Sequence, residues 1–129
     1  MSTSFCEAVA TFPGDGGHTL AKRWNGARWS GQRTPSTGDA NQFTDVSCAS
    51  SMSCVAVGLA ENPESYLYRN LAESWNGSRW SMAATVPSPA PARHSLFNGV
   101  SCTVDACTAV GVRFGGGDGY HTLAERYSD

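Results

Sequence analysis

The sequence contains no isoleucine and a single lysine, Lys22. Only 16% of its 129 residues are charged, well below the quarter or so usual in soluble domains. A net charge of −2 provides no basic face for phosphates, which excludes nucleic acid as the main partner. No apolar run approaches the ~18 residues of a membrane span, and Met1–Cys6 shows no basic-then-apolar leader pattern. Helix signals are missing too, since no window of a dozen residues carries a 3.6-residue apolar stripe between caps. Neither a nucleotide-binding loop nor a GxSxG or HExxH motif occurs. Serine, threonine and glycine supply 40 of the residues instead.

The strongest positive signal is internal repetition. Residues 18–30 read HTLAKRWNGARWS, 70–81 read NLAESWNGSRWS and 121–128 read HTLAERYS. A second element reads FTDVSCASSMSCVAVG at 43–58 and FNGVSCTVDACTAVG at 97–111, and SFCEAVATF at 4–12 matches its trailing half. The period is about 50 residues, the length of a four-stranded propeller blade. Each unit divides into strands A (43–48, 97–102), B (5–11, 54–59, 107–113), C (19–24, 71–75, 122–127) and D (27–30, 78–82). Alternating valines such as Val55 and Val57 suit a pleated strand with one face buried. Asn-Gly after Trp24 and Trp75 is a hairpin signal, because both turn residues must accept positive φ.

The expected fold is therefore all-β: one domain spanning 1–129, with repeat units of about 1–42, 43–96 and 97–129. Ten strands make two and a half propeller-like blades of four antiparallel strands, with the chain beginning and ending inside a repeat. The linkers 31–42 and 83–96 are rich in Pro, Gly, Ser and Ala, and Pro87, Pro89 and Pro91 favour an extended path. Two and a half blades do not close a ring, and open sheet edges invite pairing. Either the sequence is a piece of a longer chain or copies associate to close the ring, and the expected species is a homo-oligomer, most simply a dimer with head-to-tail contacts.

Cys48 and Cys54 flank one tight A–B connection, and Cys102 and Cys107 flank another. Disulfides fit this spacing, whereas CASSMSC and CTVDAC lack a zinc ligand set. Such bonds imply an exported, extracellular protein. Cys6 remains over, its expected partner lying at or before Met1.

The pattern VSC-x5-CxAVG followed by TLAExWNGxxWS resembles tandem repeats of actinobacterial exported proteins, over nearly the whole chain outside the linkers. The resemblance implies an exported propeller-like protein and carries no assigned reaction. Lys22, in the slot of Glu73 and Glu125, and the missing first cysteine depart from it. In architecture alone, a short chain whose copies assemble a propeller is similar to small fucose-binding lectins, a likeness that transfers no binding residue.

Candidate ligand contacts are Trp24, Arg28 and Trp29 at one Asn-Gly hairpin, and Trp75, Arg79 and Trp80 at the next. Indole faces suit a sugar ring, but residues that recur at one slot per repeat more often pack between repeats, because repeats reuse their core. Tyr66, Tyr68 and Arg69 have no counterpart in the other units, and their composition suits a binding hot spot and, equally, an ordered loop covering its own blade. Asp15 with His18, and Asp118 with His121, share a DGxH spacing, although two side chains per site are too few for a metal. Glu73 and Glu125 occupy one slot, where a solvated or arginine-paired strand residue is expected; pairing them as a glycosidase dyad requires blades facing across a channel. The expected function is binding of a glycan or surface polymer through repeated shallow sites, with no cofactor, metal, nucleic acid or membrane. An assembly scaffold without a small ligand and a hydrolase acting in a central channel are the alternatives.

Overall fold

A computed structural model of the chain describes residues 4–12, 17–35, 40–84, 93–117 and 119–128. The proline run and parts of both linkers lie outside those residues. The described residues form ten strands and no helix: β1 (Cys6–Phe12), β2 (His18–Trp24), β3 (Trp29–Gln32), β4 (Ala40–Ser50), β5 (Ser53–Glu61), β6 (Tyr68–Trp75), β7 (Trp80–Met82), β8 (His94–Cys102), β9 (Ala106–Phe114) and β10 (His121–Ser128). They pair antiparallel into three sheets ordered β1-β2-β3, β4-β5-β6-β7 and β10-β9-β8. The sheets do not close on themselves.

Two local details depart from the sequence reading. Strands β4 and β8 start three residues before Phe43 and Phe97, because β5 and β9 run on to Glu61 and Phe114 and pair with the added residues. The Asn-Gly hairpins are four-residue connections rather than two-residue turns. Trp24 pairs with Trp29 and Trp75 with Trp80. Positive φ falls on Gly26 and Gly77 (both 97°) and not on the asparagines. The Asn25 side-chain oxygen instead accepts the amides of Ala27 and Arg28 at 2.9 and 3.0 Å, and Asn76 does the same for Ser78 and Arg79. An asparagine that caps its own turn makes the second left-handed residue unnecessary.

The middle sheet is covered on both faces. Alternation along β5 sends Cys54 and Ala56 to one side and Val55 and Val57 to the other. Cys54, Ala56, Leu71 and Trp80 pack with Phe43 against Ala21 and Val9 of the first sheet. Val55, Val57 and Ala72 pack against Phe97, Cys107 and Ala109 of the third. Small residues at the repeated Ala56 and Ala109 slots let adjacent sheets approach closely. Disulfides Cys48–Cys54 and Cys102–Cys107 join directly opposed residues where β4 meets β5 and β8 meets β9, with Cα separations of 3.9 and 4.0 Å. Cys6 is exposed and free.

The glycine of the repeated AVG tripeptide has a steric cause. Both β4 and β8 carry a bulge, after Phe43 and after Phe97. Opposite it, a Cβ on Gly58 would fall on the carbonyl oxygen of Gln42, and one on Gly111 on that of Leu96. The first sheet has Ala10 in this slot, so a neighbouring strand bulged in the same way would meet its methyl group.

Gly58→Ala and Gly111→Ala should each destabilise the fold by about 3 kcal/mol in urea titrations, because rigid backbone leaves no room for a methyl group. Ala10→Gly should cost no more than about 1 kcal/mol, the ordinary entropic penalty of glycine in a strand.

Candidate functional site

Strand direction sorts the candidate residues to two ends of the stack. The disulfide-bearing turns and the tryptophan hairpins lie at one end. The β5–β6 and β9–β10 connections, with the starts of β4 and β8, lie at the other. Trp24, Arg28, Trp29, Trp75, Arg79 and Trp80 are therefore separated from Tyr66, Tyr68 and Arg69 by the length of the strands.

At the disulfide end the two indole pairs have the same internal geometry, 5.8 Å and 49° for Trp24–Trp29 against 5.9 Å and 48° for Trp75–Trp80. Their surroundings differ. Trp80 is buried against Phe43, and its Nε1–H donates to the Gln32 Oε1 of the first sheet at 2.8 Å. The Arg23 guanidinium lies over the Trp75 ring, 4.6 Å away, and is equally close to the Phe5 ring. Arg23 also donates to Glu7 at 3.1 Å and to the Ser51 carbonyl at 2.7 Å. The second hairpin is thus a clasp between sheets, and Trp80 offers no face to a ligand in this fold. Arg28 and Arg79 are exposed beside the turns.

The other end holds a ring cluster that straddles the middle and third sheets. His94 and Phe114 are cross-strand partners and stack at 4.7 Å with 13° between planes. Tyr68 meets His94 edge-on at 5.0 Å, and Tyr120 leans on Phe114 at 5.3 Å. The Tyr68 amide donates to His94 Nδ1 at 3.1 Å, which leaves Nε2 to carry the ring proton. Arg93 lies over Gly116, which has a positive φ of 72° and whose added Cβ would come within 3.2 Å of Arg93 Nε. Tyr120 is 77% exposed. Tyr66 is exposed as well and holds a left-handed φ of 58°, uncommon for a bulky residue. Its loop is fixed by Asn62, whose side-chain oxygen accepts the Glu64 and Ser65 amides at 2.9 Å each. Arg69 lines a groove of about 290 Å³ with Asn70, Met82 and Ala83, where β7 stops short of the start of β6.

Of this cluster only the tyrosine loop is visible in the sequence. Arg93 with His94, Phe114 and Tyr120 come from three separate segments and follow no repeat. The signal for them was the strand register, which sets His94 opposite Phe114.

The two carboxylates do not face each other. Glu73 lies in the layer between the first and middle sheets, on the face of Ala56, Leu71 and Trp75. Glu125 lies between the middle and third sheets, so the middle sheet separates them and the glycosidase dyad is not formed. Glu125 accepts from Asn70 Nδ2 at 3.2 Å and from the Tyr127 hydroxyl at 2.8 Å. Burial first, then that hydrogen bond and the carboxylate's charge, raise the Tyr127 phenol above its ordinary range. Glu73 has lost both counterparts. The first sheet places Thr19 in the Asn70 slot, bonded to Thr34 at 2.7 Å, and Trp75 replaces the tyrosine. Glu73 is fully buried, neither of its oxygens has a hydrogen-bond partner among the described residues, and burial pushes its pKa up to about 7.

Asp15 and Asp118 of the DGxH spacings fall outside the described residues, while His18 and His121 open β2 and β10. Among the described residues no three His, Cys, Asp or Glu side chains gather as a metal would require. No protein-family model, curated protein or solved structure matches the chain.

The orphaned Glu73 sets a pH dependence. Below pH 4.5 the group is protonated in both the folded and unfolded chains and carries no penalty. As pH rises from 4.5 to about 7 the unfolded chain ionises while the folded one holds its proton, so stability falls and then levels off. Glu73→Gln should flatten this stretch of the stability-versus-pH curve and raise stability at pH 8 by on the order of 2–3 kcal/mol.

Proposed function

We propose that the protein is an exported recognition module whose stacked sheets are propeller-like blades, holding a glycan or surface polymer at the ring cluster between the middle and third sheets. The observation that carries this reading is the ladder Tyr68–His94–Phe114–Tyr120, which ends in a ring open to solvent. Aromatic side chains supply large, rigid contact area, and the polar tip of a tyrosine stays wet while its face packs. A sugar ring needs such a face and hydrogen-bonding groups beside it, which Arg93 and the tyrosine hydroxyls supply. Left-handed strain at an exposed aromatic residue such as Tyr66 is typical of functional loops. The two disulfides fit an oxidising, extracellular setting. Among the described residues there is one such cluster, so multiplicity would come from copies of the chain rather than from each repeat.

The exposed outer faces of the first and third sheets favour a second reading, an assembly scaffold without a small ligand.

Polysaccharide affinity electrophoresis and a glycan array test the first reading. Tyr120→Ala and Phe114→Ala should each weaken retention at least about tenfold, the scale of a hot-spot truncation. Tyr120→Ala should leave the melting temperature unchanged, since its ring is solvent-exposed, and Arg28→Ala at the opposite end should change neither quantity. A native chain that retains no glycan or polymer supports the scaffold instead.

A further inference from the structure

The two outer faces of the stack differ from each other, and each repeats a face that is buried inside it. On the first sheet, β1 and β2 turn Ala8, Ala10, Leu20 and Lys22 outward, with Trp29 beside them. These slots are filled on the middle sheet by Ala56, Gly58, Leu71, Glu73 and Trp80, which face the first sheet. On the third sheet, β9 and β10 turn Thr108, Val110, Ala124 and Arg126 outward. Their counterparts on the middle sheet include Val55, Val57 and Ala72, which the third sheet covers.

Exposure differs only because a neighbouring sheet is present in one case and not in the other. Leu20 is 42% exposed and Leu71 2%; Trp29 is 48% exposed and Trp80 4%; Val110 is 49% exposed and Val57 0%. Apolar side chains left open at slots that the fold elsewhere seals mark an interaction surface. A shallow apolar groove lies on the first of these faces, lined by Ala8, Val9, Ala10, Leu20 and Lys22.

The chain contains the template for its partner. At its first internal joint, Arg23 of one sheet stacks on Trp75 of the next while Leu71 packs against the facing sheet. Arg126 holds the Arg23 slot on the outer face of the third sheet, and Trp24 holds the Trp75 slot on the first. We propose that a second copy of this chain docks its first sheet on the third sheet of its neighbour, head to tail, and that two such joints close a dimer of six sheets. Each joint sets Arg126 over the neighbour's Trp24 and Leu20 against the neighbour's Val110 and Ala124. The contact is heterologous, so the same pair of unlike faces is used twice and none is left open. Six sheets lie within the range of closed propeller rings. This inference rests on the equivalence of the repeats and is independent of any ligand.

Light scattering of the full chain after size exclusion tests it, with Leu20→Lys on one face and Val110→Asp on the other. The native chain should be dimeric at high micromolar concentration, and each variant alone monomeric with unchanged far-ultraviolet circular dichroism. Mixing the two variants should restore a one-to-one dimer, because it contains one native joint and one of opposite charges. Arg126→Ala, a milder change at an exposed residue, should raise the dissociation constant at least about tenfold. A monomeric native chain or a particle of another size overturns the proposal. So does a dimer that resists both lysine and aspartate, or one that only a single face variant disrupts, which would mean like faces meet.

Discussion

A pleated sheet with apolar residues on both sides must be covered twice, and the middle sheet imposes that requirement on the rest of the molecule. Val55 and Val57 point one way along β5 and Cys54 and Ala56 the other, so one strand feeds two cores. Neither core would exist without its neighbouring sheet. Among the described residues the first and third sheets are covered on one face only, and stacking, rather than any single contact, is the unit of stability. Repeat proteins share this near-neighbour logic, in which each element is completed by the next.

The two internal joints are built from the same slots with different chemistry. The second adds a row of hydrogen bonds to its apolar core: Ser95 donates to Asn70 at 3.0 Å, Asn70 reaches Glu125, Val100 donates its amide to Asp45 at 2.8 Å, and Cys102 donates its amide to Ser47 at 2.9 Å. The first adds to its own apolar core a cation close to two rings and the indole–glutamine bond of Trp80. A repeat slot therefore keeps its geometry more faithfully than its partners. Glu73 carries the cost of that difference: its slot retains the carboxylate, while the amide and hydroxyl that satisfy Glu125 have been exchanged for groups that do not reach it.

Architecture was legible because it is periodic. The spacing of Leu20, Leu71 and Leu123, and of the paired cysteines, located all ten strands and both disulfides to within a few residues. Turn chemistry is less legible: an Asn-Gly pair signals two left-handed backbone conformers, whereas Asn25 and Asn76 act through their side chains. Which tryptophans are open to solvent could not be read at all, since Trp29 and Trp80 are indistinguishable in sequence and differ only in whether a sheet lies beside them. The ring cluster escaped for the opposite reason. His94, Phe114 and Tyr120 are non-repeating, and only strand pairing brings them to Tyr68.

The unequal joints bear on how the molecule comes apart. Alkaline conditions place an unpaired negative charge inside the first seam and leave the Asn70–Glu125 seam satisfied. The β1-β2-β3 unit would then detach before the others, as a separate cooperative element that amide hydrogen exchange resolves from the remaining seven strands. One carboxyl group would decide the order in which the layers separate.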